Sequence, residues 1–373
     1  MEGLLEKISE ELKIDKSQWT PAKFGDVAIQ QKGKIDRDNT DLTRYVQGGH
    51  MNSEDLHLRS WGELEDEYLG PAFIRRFDEG DILYGSRRTY LRKVVIAPFS
   101  GITSNTTFVI RTNDKNIDKR LLPYVMMSEG FTENSVRNSK GSVNPYINWK
   151  DIAKYEFLLP PKDQQVELAK LLWVLDEMIE REKEVLEKLK ITENCVRKTE
   201  IENLNSEEFK IDDLILPMSK IKVGKIDKSN YLKEGNYPIV DQSLEFIVGY
   251  TNDENLVYKG ELPVLVFGDH TTIIKYIDFH FVMGADGTKV IKPKSKLDVF
   301  YLYHAIKNLN IQPQGYRRHF SILKNSNIKL SQNDNWIKSF KNRLGTINNS
   351  IEASELKVRR SQALQKSLIN QIF

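Results

Sequence analysis

Hydrophobic and polar residues alternate along two separate stretches of the chain, residues 80–111 and residues 260–293. In each stretch, short apolar runs are separated by Gly, Pro, Ser or Asn, which is the pattern of several short strands joined by turns. Both stretches begin with Gly and an acidic residue and end in Thr-Phe-Val-Ile or Thr-Lys-Val-Ile, with an offset of about 180 residues. The pattern therefore predicts two copies of one strand-rich unit.

The correspondence continues beyond the strands. Residues 116–129 and 296–309 have short helical patterns, each followed by a polar loop that contains Gly, "RNSKGSVNPYI" in the first half and "QPQGYRRHFSI" in the second. A short apolar segment and a long helical pattern come next in both halves. Two consecutive prolines favour a start of the first long helix near Asp163, because proline suits a helix entry. The cluster "SQNDN" offers Asn333 or Asp334 as the cap of the second.

Both long helices are predicted to run for about 40 residues, or about 60 Å. The second has a heptad seam with a 3-4 spacing, apolar except at its middle positions, made by Ile337, Phe340, Leu344, Ile347, Ile351, Ser354, Val358, Ser361, Gln365, Leu368 and Ile372. The first has one apolar face, interrupted by Glu182, made by Leu168, Leu171, Leu172, Leu175, Met178, Ile179, Val185, Leu186, Leu189 and Val196. An antiparallel pair would bury both stripes, whereas two unrelated helices packed on their own domains are the alternative.

These patterns predict an α+β protein with two similar mixed α/β domains, separated by a long antiparallel two-helix coiled coil with pseudo-two-fold symmetry. The predicted boundaries are an N-terminal helical extension at 1–18, a first domain at 19–161, a first spacer helix at 162–205, a second domain at 206–332 and a second spacer helix at 333–373. Two similar domains held apart by a spacer suit a ligand with two sites, such as duplex DNA.

Composition and charge restrict the class of protein. A chain of 373 residues, with 39% hydrophobic and 29% charged residues, is expected to be globular with more than one domain. No apolar run approaches the roughly 20 residues of a membrane-spanning helix, and the N-terminus lacks the apolar core of a signal peptide. We therefore expect a cytoplasmic protein without membrane contact. The single cysteine, Cys195, leaves no internal disulfide and no cysteine cluster for zinc.

The distribution of charge matters more than its total of +2. Residues 163–202 contain 11 acidic and 7 basic residues, so this segment carries −4 and the rest of the chain +6. A DNA-binding surface is therefore expected outside the first long helix.

The chain resembles the specificity subunit (HsdS) of type I restriction-modification enzymes over nearly its whole length. The resemblance rests on "GDILYGSRRTYLRKVVIAPFSGITSNTTFVI", on the helix start "LPPKDQQVELAKLLWVLDEMIEREKEVLEKLK", and on the pair "VFGDHT" and "GADGTK". It implies two target recognition domains, each of which recognises one half of a bipartite DNA sequence, and two helices that pair as an antiparallel coiled coil. It also implies partners: double-stranded DNA, two methyltransferase subunits and restriction/translocase subunits.

The same resemblance implies a subunit in a phage-defence system that is not catalytic alone. S-adenosylmethionine and ATP with Mg²⁺ are then expected on the partner subunits, and no cofactor is expected on this chain. The spacer helices would set the gap between the half-sites and dock the methyltransferase subunits. The candidate residues for the spacer pairing and for partner binding are Leu168, Leu175, Ile179, Leu186, Leu189, Leu344, Ile347, Ile351, Val358 and Leu368.

The residues argue against two enzyme hypotheses, an amino-methyltransferase and a nuclease. Asn144-Pro145-Tyr146 is similar to the Asn-Pro-Pro-Tyr loop of amino-methyltransferases, but it lacks the second proline, and the chain has no Phe-x-Gly-x-Gly turn. A nuclease would need clustered acids for a metal ion. Asp269 and His270 lie near Asp278 and His280, yet the first repeat keeps no acid at the equivalent turn. We therefore predict no catalytic residue and no metal site.

DNA contacts are predicted at basic, aromatic and polar residues that follow the Gly turns or lie in the late loops. Arginine and lysine bind guanine or phosphate, and asparagine binds adenine. The candidates are Arg75, Arg76, Arg87, Arg88, Tyr90, Arg92, Lys93, Lys140 and Asn144 in the first domain, and Asp269, His270, Thr271, Lys275, Tyr316, Arg317, Arg318 and His319 in the second. A merely solvated turn is the alternative for these residues. Two competing hypotheses for the whole chain are a DNA methyltransferase or nuclease with its own site, and a coiled-coil scaffold without DNA contact.

Overall fold

The computed structural model describes residues 14–36, 39–66, 68–284, 286–294, 297–315 and 317–373. Most of the predicted N-terminal helical extension, residues 1–13, lies outside these ranges. The chain forms two compact units: unit 1 comprises residues 1–184 and 355–373, and unit 2 comprises residues 185–354. Each unit therefore contains one mixed α/β domain together with a part of each long helix.

Unit 1 is built on two four-stranded sheets and a two-stranded pair. Its strands are β1 (Thr20–Lys23), β2 (Ala28–Gln31), β3 (Arg44–Val46), β4 (Gly62–Glu63), β5 (Phe73–Phe77), β6 (Ile82–Gly85), β7 (Val94–Ile96), β8 (Gly101–Ser104), β9 (Thr107–Thr112) and β10 (Glu156–Leu159). The sheet orders are β2-β9-β6-β7 and β4-β3-β8-β5, and β1 pairs with β10. Strands β3 and β8 are parallel, and the other pairs are antiparallel.

The helices of unit 1 cover the sheet that contains β6 and β9. They are α1 (Phe24–Val27), α2 (Leu122–Met127), α3 (Glu129–Arg137), α4 (Trp149–Ile152), the first part of α5 (Lys162–Glu202) and, after the elements of unit 2, the last part of α9 (Asp334–Ile372). Tyr84, Tyr124 and Phe131 are fully buried in the shared hydrophobic core. A short 3-10 helix, Thr89–Leu91, follows β6.

Unit 2 repeats this arrangement with shorter sheets. Its strands are β11 (Glu208–Lys210), β12 (Tyr237–Val240), β13 (Gly249–Thr251), β14 (Val264–Gly268), β15 (Ile274–Ile277), β16 (Val282–Met283), β17 (Thr288–Ile291) and β18 (Asn327–Lys329). Its short helices are α6 (Ile211–Leu214), α7 (Val299–Asn308) and α8 (Phe320–Asn325), with 3-10 turns at Met218–Lys220, Lys228–Asn230 and Glu254–Leu256. The sheet orders are β15-β14-β17 and β13-β12-β16, and β11 pairs with β18.

Strand pairing confirms the predicted duplication. The parallel pair β3-β8 of unit 1 corresponds to the parallel pair β12-β16 of unit 2. The antiparallel order β7-β6-β9 corresponds to β15-β14-β17, and β1-β10 corresponds to β11-β18. Where unit 1 has β2 and β5, unit 2 has single bridges, Ile215 to Pro293 and Val257 to Val282. The two units therefore share one topology, and unit 1 is the more elaborate copy.

The two long helices begin where the sequence predicts. Helix α5 starts at Lys162, directly after the two prolines, and α9 starts at Asp334. The Asn333 side-chain oxygen accepts a hydrogen bond from the Trp336 N–H at 3.1 Å, so Asn333 caps α9. Neither helix belongs to a single unit, because residues 162–184 and 355–372 lie in unit 1 and residues 185–202 and 334–354 in unit 2.

Within unit 1 the two long helices pair in antiparallel orientation. The Gln365 amide donates to Asp176 at 3.2 Å, and the Ser361 hydroxyl donates to Glu182 at 2.9 Å, so the α9 numbers fall as the α5 numbers rise. Glu182 and Ser361 are both buried. The polar residues that interrupt the two predicted stripes thus face each other and satisfy one another inside the pair.

The heptad seam of α9 is arranged as predicted. None of its positions is exposed, and Phe340, Leu344, Val358, Ser361, Leu368 and Ile372 are buried. Ile347 and Ile351 are half-buried, as are Leu168, Leu186 and Leu189 on α5.

The prediction of a single apolar face on α5 is wrong for three residues. Leu172, Leu175 and Ile179 are buried, but Leu171, Met178 and Val185 are exposed. A helix turns 100° per residue at 3.6 residues per turn, so positions one apart, such as 171 and 172, cannot share a narrow face. Helix α5 therefore presents a second apolar stripe to solvent within this chain.

Candidate nucleic-acid interface

The turn after β6 and the loop before α4 are joined by backbone hydrogen bonds in unit 1. The Arg88 N–H donates to the Pro145 carbonyl at 2.7 Å, and the Ile147 N–H donates to the Ser86 carbonyl at 2.9 Å. The stretches "GSRRTY" and "GSVNPYI" begin 56 positions apart in the sequence. They thus form one continuous surface, which we call the junction surface (residues 86–93 and 139–147).

Exposed cations concentrate on the junction surface. Arg87 and Arg88 are exposed on one segment, and Lys140 and Asn144 are exposed on the other. Among the described residues, no carboxylate pairs with either arginine. Tyr90 is also largely exposed. Guanidinium groups without an internal partner are suited to bind phosphate or guanine.

The backbone fixes the direction of this surface. Arg88 has a φ of 50° and Arg92 a φ of 49°, in the left-handed region that residues with a Cβ rarely adopt. The two residues flank the 3-10 helix Thr89–Leu91. Such conformations cost free energy and persist only where the surrounding structure imposes them, and they cluster at functional sites.

Two other predicted contacts of the junction surface are engaged within the protein. Arg92 forms an ion pair with Glu54 at 3.0 Å, and the Lys93 ammonium donates to the Gly48 carbonyl. Burial, together with the positive charge of Arg88, lowers the pKa of Lys93. These two residues connect the 48–54 loop to the turn. They add positive electrostatic potential to the surface, but their donor groups are already bound within the protein.

The two arginines on β5 also have internal partners. Arg75 donates to the Lys32 carbonyl at 2.7 Å, and Arg76 pairs with Asp78 at 3.0 Å. Arg76 remains exposed, whereas Arg75 is half-buried. Their role as DNA contacts stays a prediction.

Unit 2 has the same junction between its turn and its late loop. The His319 N–H donates to the Asp269 carbonyl at 2.8 Å, in the place of the bond from Ile147 to Ser86. The side chains of Asp269 and His319 are, however, buried, with 3% and 0% exposure. The Asp269 carboxylate accepts from the Phe320 N–H at 2.8 Å. The prediction that these two side chains contact DNA directly is therefore corrected: they hold the late loop.

Lys275 requires the same correction. Its side chain is 4% exposed, and its ammonium donates to the Asp241 carbonyl at 2.8 Å and to the Glu245 carbonyl. Burial lowers the pKa of Lys275. The residue braces the 241–245 loop from inside and cannot reach a nucleic acid.

The remaining candidates of unit 2 are more accessible. Arg317 and Arg318 are exposed, and His270 and Thr271 are half-buried. The Thr271 hydroxyl donates to the Gln242 carbonyl at 2.6 Å. Tyr316 lies outside the described residues. Each unit thus carries an exposed Arg-Arg pair on the junction between its turn and its late loop.

A cleft of about 350 Å³ opens beside Arg87 in unit 1. Its lining includes polar and aromatic residues that the sequence patterns did not select, namely Gln30, Asn105, Thr106, Phe108, Asn148 and Trp149. Sequence analysis could not assemble them, because they come from separate strands and turns. The one available signal was that Asn105 and Thr106 follow β8 at a turn between two apolar segments.

Two other features, a metal site and a membrane-spanning helix, are absent from the part of the chain that the structure describes. No group of three or more His, Cys, Asp or Glu residues there is placed to hold a metal ion. No helix within it is both long enough and apolar enough to cross a membrane.

Comparison with known proteins gives a consistent assignment. A sequence model of the type I restriction modification DNA specificity domain matches residues 16–190. The specificity subunit of the type I restriction enzyme EcoDI from Escherichia coli is 28% identical over 173 residues, which is 43% of this chain and 36% of that protein. The EcoR124I/EcoR124II specificity subunit from Escherichia coli is 31% identical over 75 residues, or 19% of each chain. The matched stretches thus span about a third and a fifth of these relatives.

A solved structure extends the similarity to the whole fold. The S subunit of a type I restriction-modification system from M. genitalium superposes with a TM-score of 0.61 at 13% sequence identity. The alignment covers 97% of both chains. At this identity the likeness shows that the fold is shared, including unit 2, of which the sequence model matches only residues 185–190.

Proposed function

We propose that this chain, whose residues 16–190 match the type I restriction modification DNA specificity domain, is a specificity subunit of that family and recognises a bipartite DNA sequence for a methyltransferase complex. Each unit recognises one half of the target through its junction surface. The chain has no catalytic function alone and acts in the cytoplasm. The methyl transfer that Asn144-Pro145-Tyr146 seemed to offer is performed by a bound partner.

One observation carries the proposal: the two units have the same junction, and each exposes an arginine pair there. The pairs are Arg87 with Arg88 in unit 1 and Arg317 with Arg318 in unit 2. They lie on different sides of the junction, since the first pair follows β6 and the second belongs to the late loop. The two units thus share one scaffold but expose different side chains. This arrangement supports the proposal that both units bind DNA and that each recognises a different base sequence.

Partner binding is proposed for the exposed apolar stripe of α5 in unit 1, defined by Leu171, Val174 and Met178. These residues follow i, i+3, i+7 spacing on one helix face and are 39%, 55% and 42% exposed. Apolar side chains at this spacing are typical anchors of a protein interface. We propose that methyltransferase subunits, two per chain, bind along the long helices, and that restriction/translocase subunits join them. S-adenosylmethionine and ATP with Mg²⁺ belong to those partners in this proposal.

The long helices would also set the gap between the half-sites. Inserting four residues after Glu182 and four at the facing position near Ser361 adds about one turn, or about 6 Å, to each helix. This corresponds to roughly two base pairs at about 3.4 Å each. Methylation mapping is expected to show a longer gap with both half-sequences kept. Altered half-sequences with an unchanged gap would exclude this role of the helices.

The proposed function is separated from its competitors by two measurements on purified protein. Incubation of the chain alone with labelled S-adenosylmethionine and DNA is expected to give no methyl transfer, whereas transfer would support an enzyme with its own site. A footprint on DNA by the complex with the methyltransferase subunit is expected at two separate segments. A complex that forms but gives no footprint would support a scaffold without DNA contact.

A further inference from the structure

The cleft beside Arg87 is assembled from four chain segments that backbone hydrogen bonds hold together. The Ser86 N–H and hydroxyl both donate to the Thr106 carbonyl, at 3.0 and 2.6 Å. The Ile147 N–H donates to the Ser86 carbonyl at 2.9 Å. Strand β2 adds Gln30, which pairs with Ile110 on β9. The turn after β6, the turn between β8 and β9, and the loop before α4 are thus fixed relative to one another before any ligand binds.

Aromatic rings line part of this cleft. Phe108 meets Trp149 edge-on, with ring centroids 6.0 Å apart and an angle of 87°. Phe108 also stacks on the buried Tyr84, at 6.3 Å and 24°. Aromatic contacts in these geometries stabilise a defined side-chain arrangement. The lining therefore presents rigid apolar surface.

Two polar side chains of the cleft, Gln30 and Asn105, differ from Ser86, Thr106 and Asn148, whose side chains form hydrogen bonds within the protein. The side-chain amides of Gln30 and Asn105 form no hydrogen bond with any residue that the structure describes. Arg87 is the one charged residue among those that line the cleft, and no acidic residue lines it. A cation would find no carboxylate here. The site instead offers amide donors and acceptors, aromatic surface and one guanidinium group.

This set of groups matches the edges of bases with a phosphate nearby. Asparagine and glutamine amides form paired hydrogen bonds with adenine N6 and N7, apolar surface contacts the thymine methyl group, and arginine binds phosphate. We propose that the cleft recognises adenine-thymine base pairs in the half-site bound by unit 1. Gln30 and Asn105 are the specificity-determining residues, and Arg87 binds the adjacent phosphate. This inference rests on the proposed function of the chain as a DNA-recognition subunit.

Unit 2 differs at the corresponding place. The side chain of Gln242 spans the equivalent turns, since its amide donates to the Asp286 carbonyl at 2.8 Å and accepts from the His270 N–H at 3.2 Å. This amide is engaged within the protein, whereas the amides of Gln30 and Asn105 have no hydrogen-bond partner among the described residues. The contrast supports recognition of different half-sequences by the two units.

The test uses the full chain in complex with its methyltransferase partner and a duplex library with randomised half-sites. Gln30→Ala and Asn105→Ala are each expected to reduce discrimination for adenine at one or two positions of one half-site by about 10-fold, because a good bidentate contact supplies discrimination of this order. Preferences in the other half-site are expected to stay unchanged. Gln31→Ala is the matched control, since Gln31 is the next residue on β2 and does not line the cleft.

Gln30→Glu distinguishes recognition from packing. The change keeps the size of the side chain but replaces the amide donor by an acceptor, and carboxylates accept from cytosine N4. The preferred base at the affected position is expected to change from adenine to cytosine. Unchanged preferences in the cleft variants, or a uniform loss of affinity without a change of preference, would overturn the assignment while leaving the proposed function intact. A wild-type complex without any sequence preference would instead overturn the proposed function, and the assignment with it.

Discussion

Replacing Arg87 and Arg88 together by alanine is expected to weaken DNA binding and to flatten its dependence on salt. Both side chains are exposed on the junction surface of unit 1. Among the described residues, neither pairs with a carboxylate, so the full charge of each guanidinium is available to a phosphate. Phosphate contacts release condensed counterions, and their loss therefore appears in the salt dependence of the binding constant.

The magnitude follows from the number of contacts. Each phosphate contact contributes about 0.9 to the slope of log K against log salt, so two lost contacts lower the slope by about 1.8. Over a fourfold increase in salt, the affinity of the wild type is then expected to fall about 12 times more than the affinity of the double variant. Fluorescence anisotropy of a labelled duplex with the assembled complex, between about 50 and 200 mM salt, covers this range.

A variant with the same change of charge is the control. Arg181 and Arg359 lie on the long helices, and each pairs with a glutamate one turn away at 3.9 Å. Their joint replacement by alanine removes the same charge and is expected to keep the wild-type slope. An unchanged slope in the junction variant, or an equal decrease in both variants, would refute the assignment of phosphate contacts to the junction.

Three further predictions concern stability and assembly. Glu193→Ala leaves the buried Arg197 without the carboxylate that lies 3.3 Å away, and unfolding in urea is expected to show a loss of about 3–5 kcal/mol. Burial alone would raise the pKa of Glu193, but His304 at 3.3 Å and the positive charges of Lys307 and Arg197 lower the pKa to about 2. The contribution of Glu193 to the free energy of unfolding is therefore expected to be present above about pH 4.5 and to be lost as the pH falls towards 2. A urea midpoint of the wild type that does not change with pH in this window would contradict this expectation. Leu368→Ala, at a buried position in the helix pair, is expected to lower the free energy of unfolding by about 2–5 kcal/mol in the same assay. A decrease below about 0.5 kcal/mol, which is typical of an exposed site, would exclude tight packing at Leu368. Met178→Glu is expected to weaken assembly with the methyltransferase subunit in analytical ultracentrifugation while leaving thermal unfolding of the chain unchanged, and normal assembly would exclude this stripe as the interface.

Local patterns were sufficient to predict much of the fold. The duplication was visible because corresponding strands and turns recur at a nearly constant offset in the chain. The start of α5 followed from two prolines, and the cap of α9 from the polar cluster that contains Asn333, because proline and N-cap residues act through adjacent backbone groups. The polar positions at Glu182 and Ser361 were visible as interruptions of two stripes.

Side-chain environments depended on contacts that the sequence does not show. Asp269 and His319 are joined by hydrogen bonds across 50 positions, and Lys275 reaches a carbonyl 34 positions away. The sequence pattern therefore assigned these polar residues to the surface, although their side chains are buried and form hydrogen bonds in the interior. The predicted face of α5 was too wide for the same reason: an apolar stripe alone does not show which of its residues the partner helix covers. Gln30 was missed because only the sheet brings it beside Arg87.

We propose that this chain determines which DNA sequence its complex modifies. The decisive experiment is genome-wide mapping of modified bases, in cells with the gene and in cells from which it has been deleted. One bipartite sequence, with two defined halves and an unspecific gap between them, is expected to lose modification when the gene is deleted and to regain it on complementation. Modification of the same sequences in both strains, or the loss of a single continuous site, would contradict it.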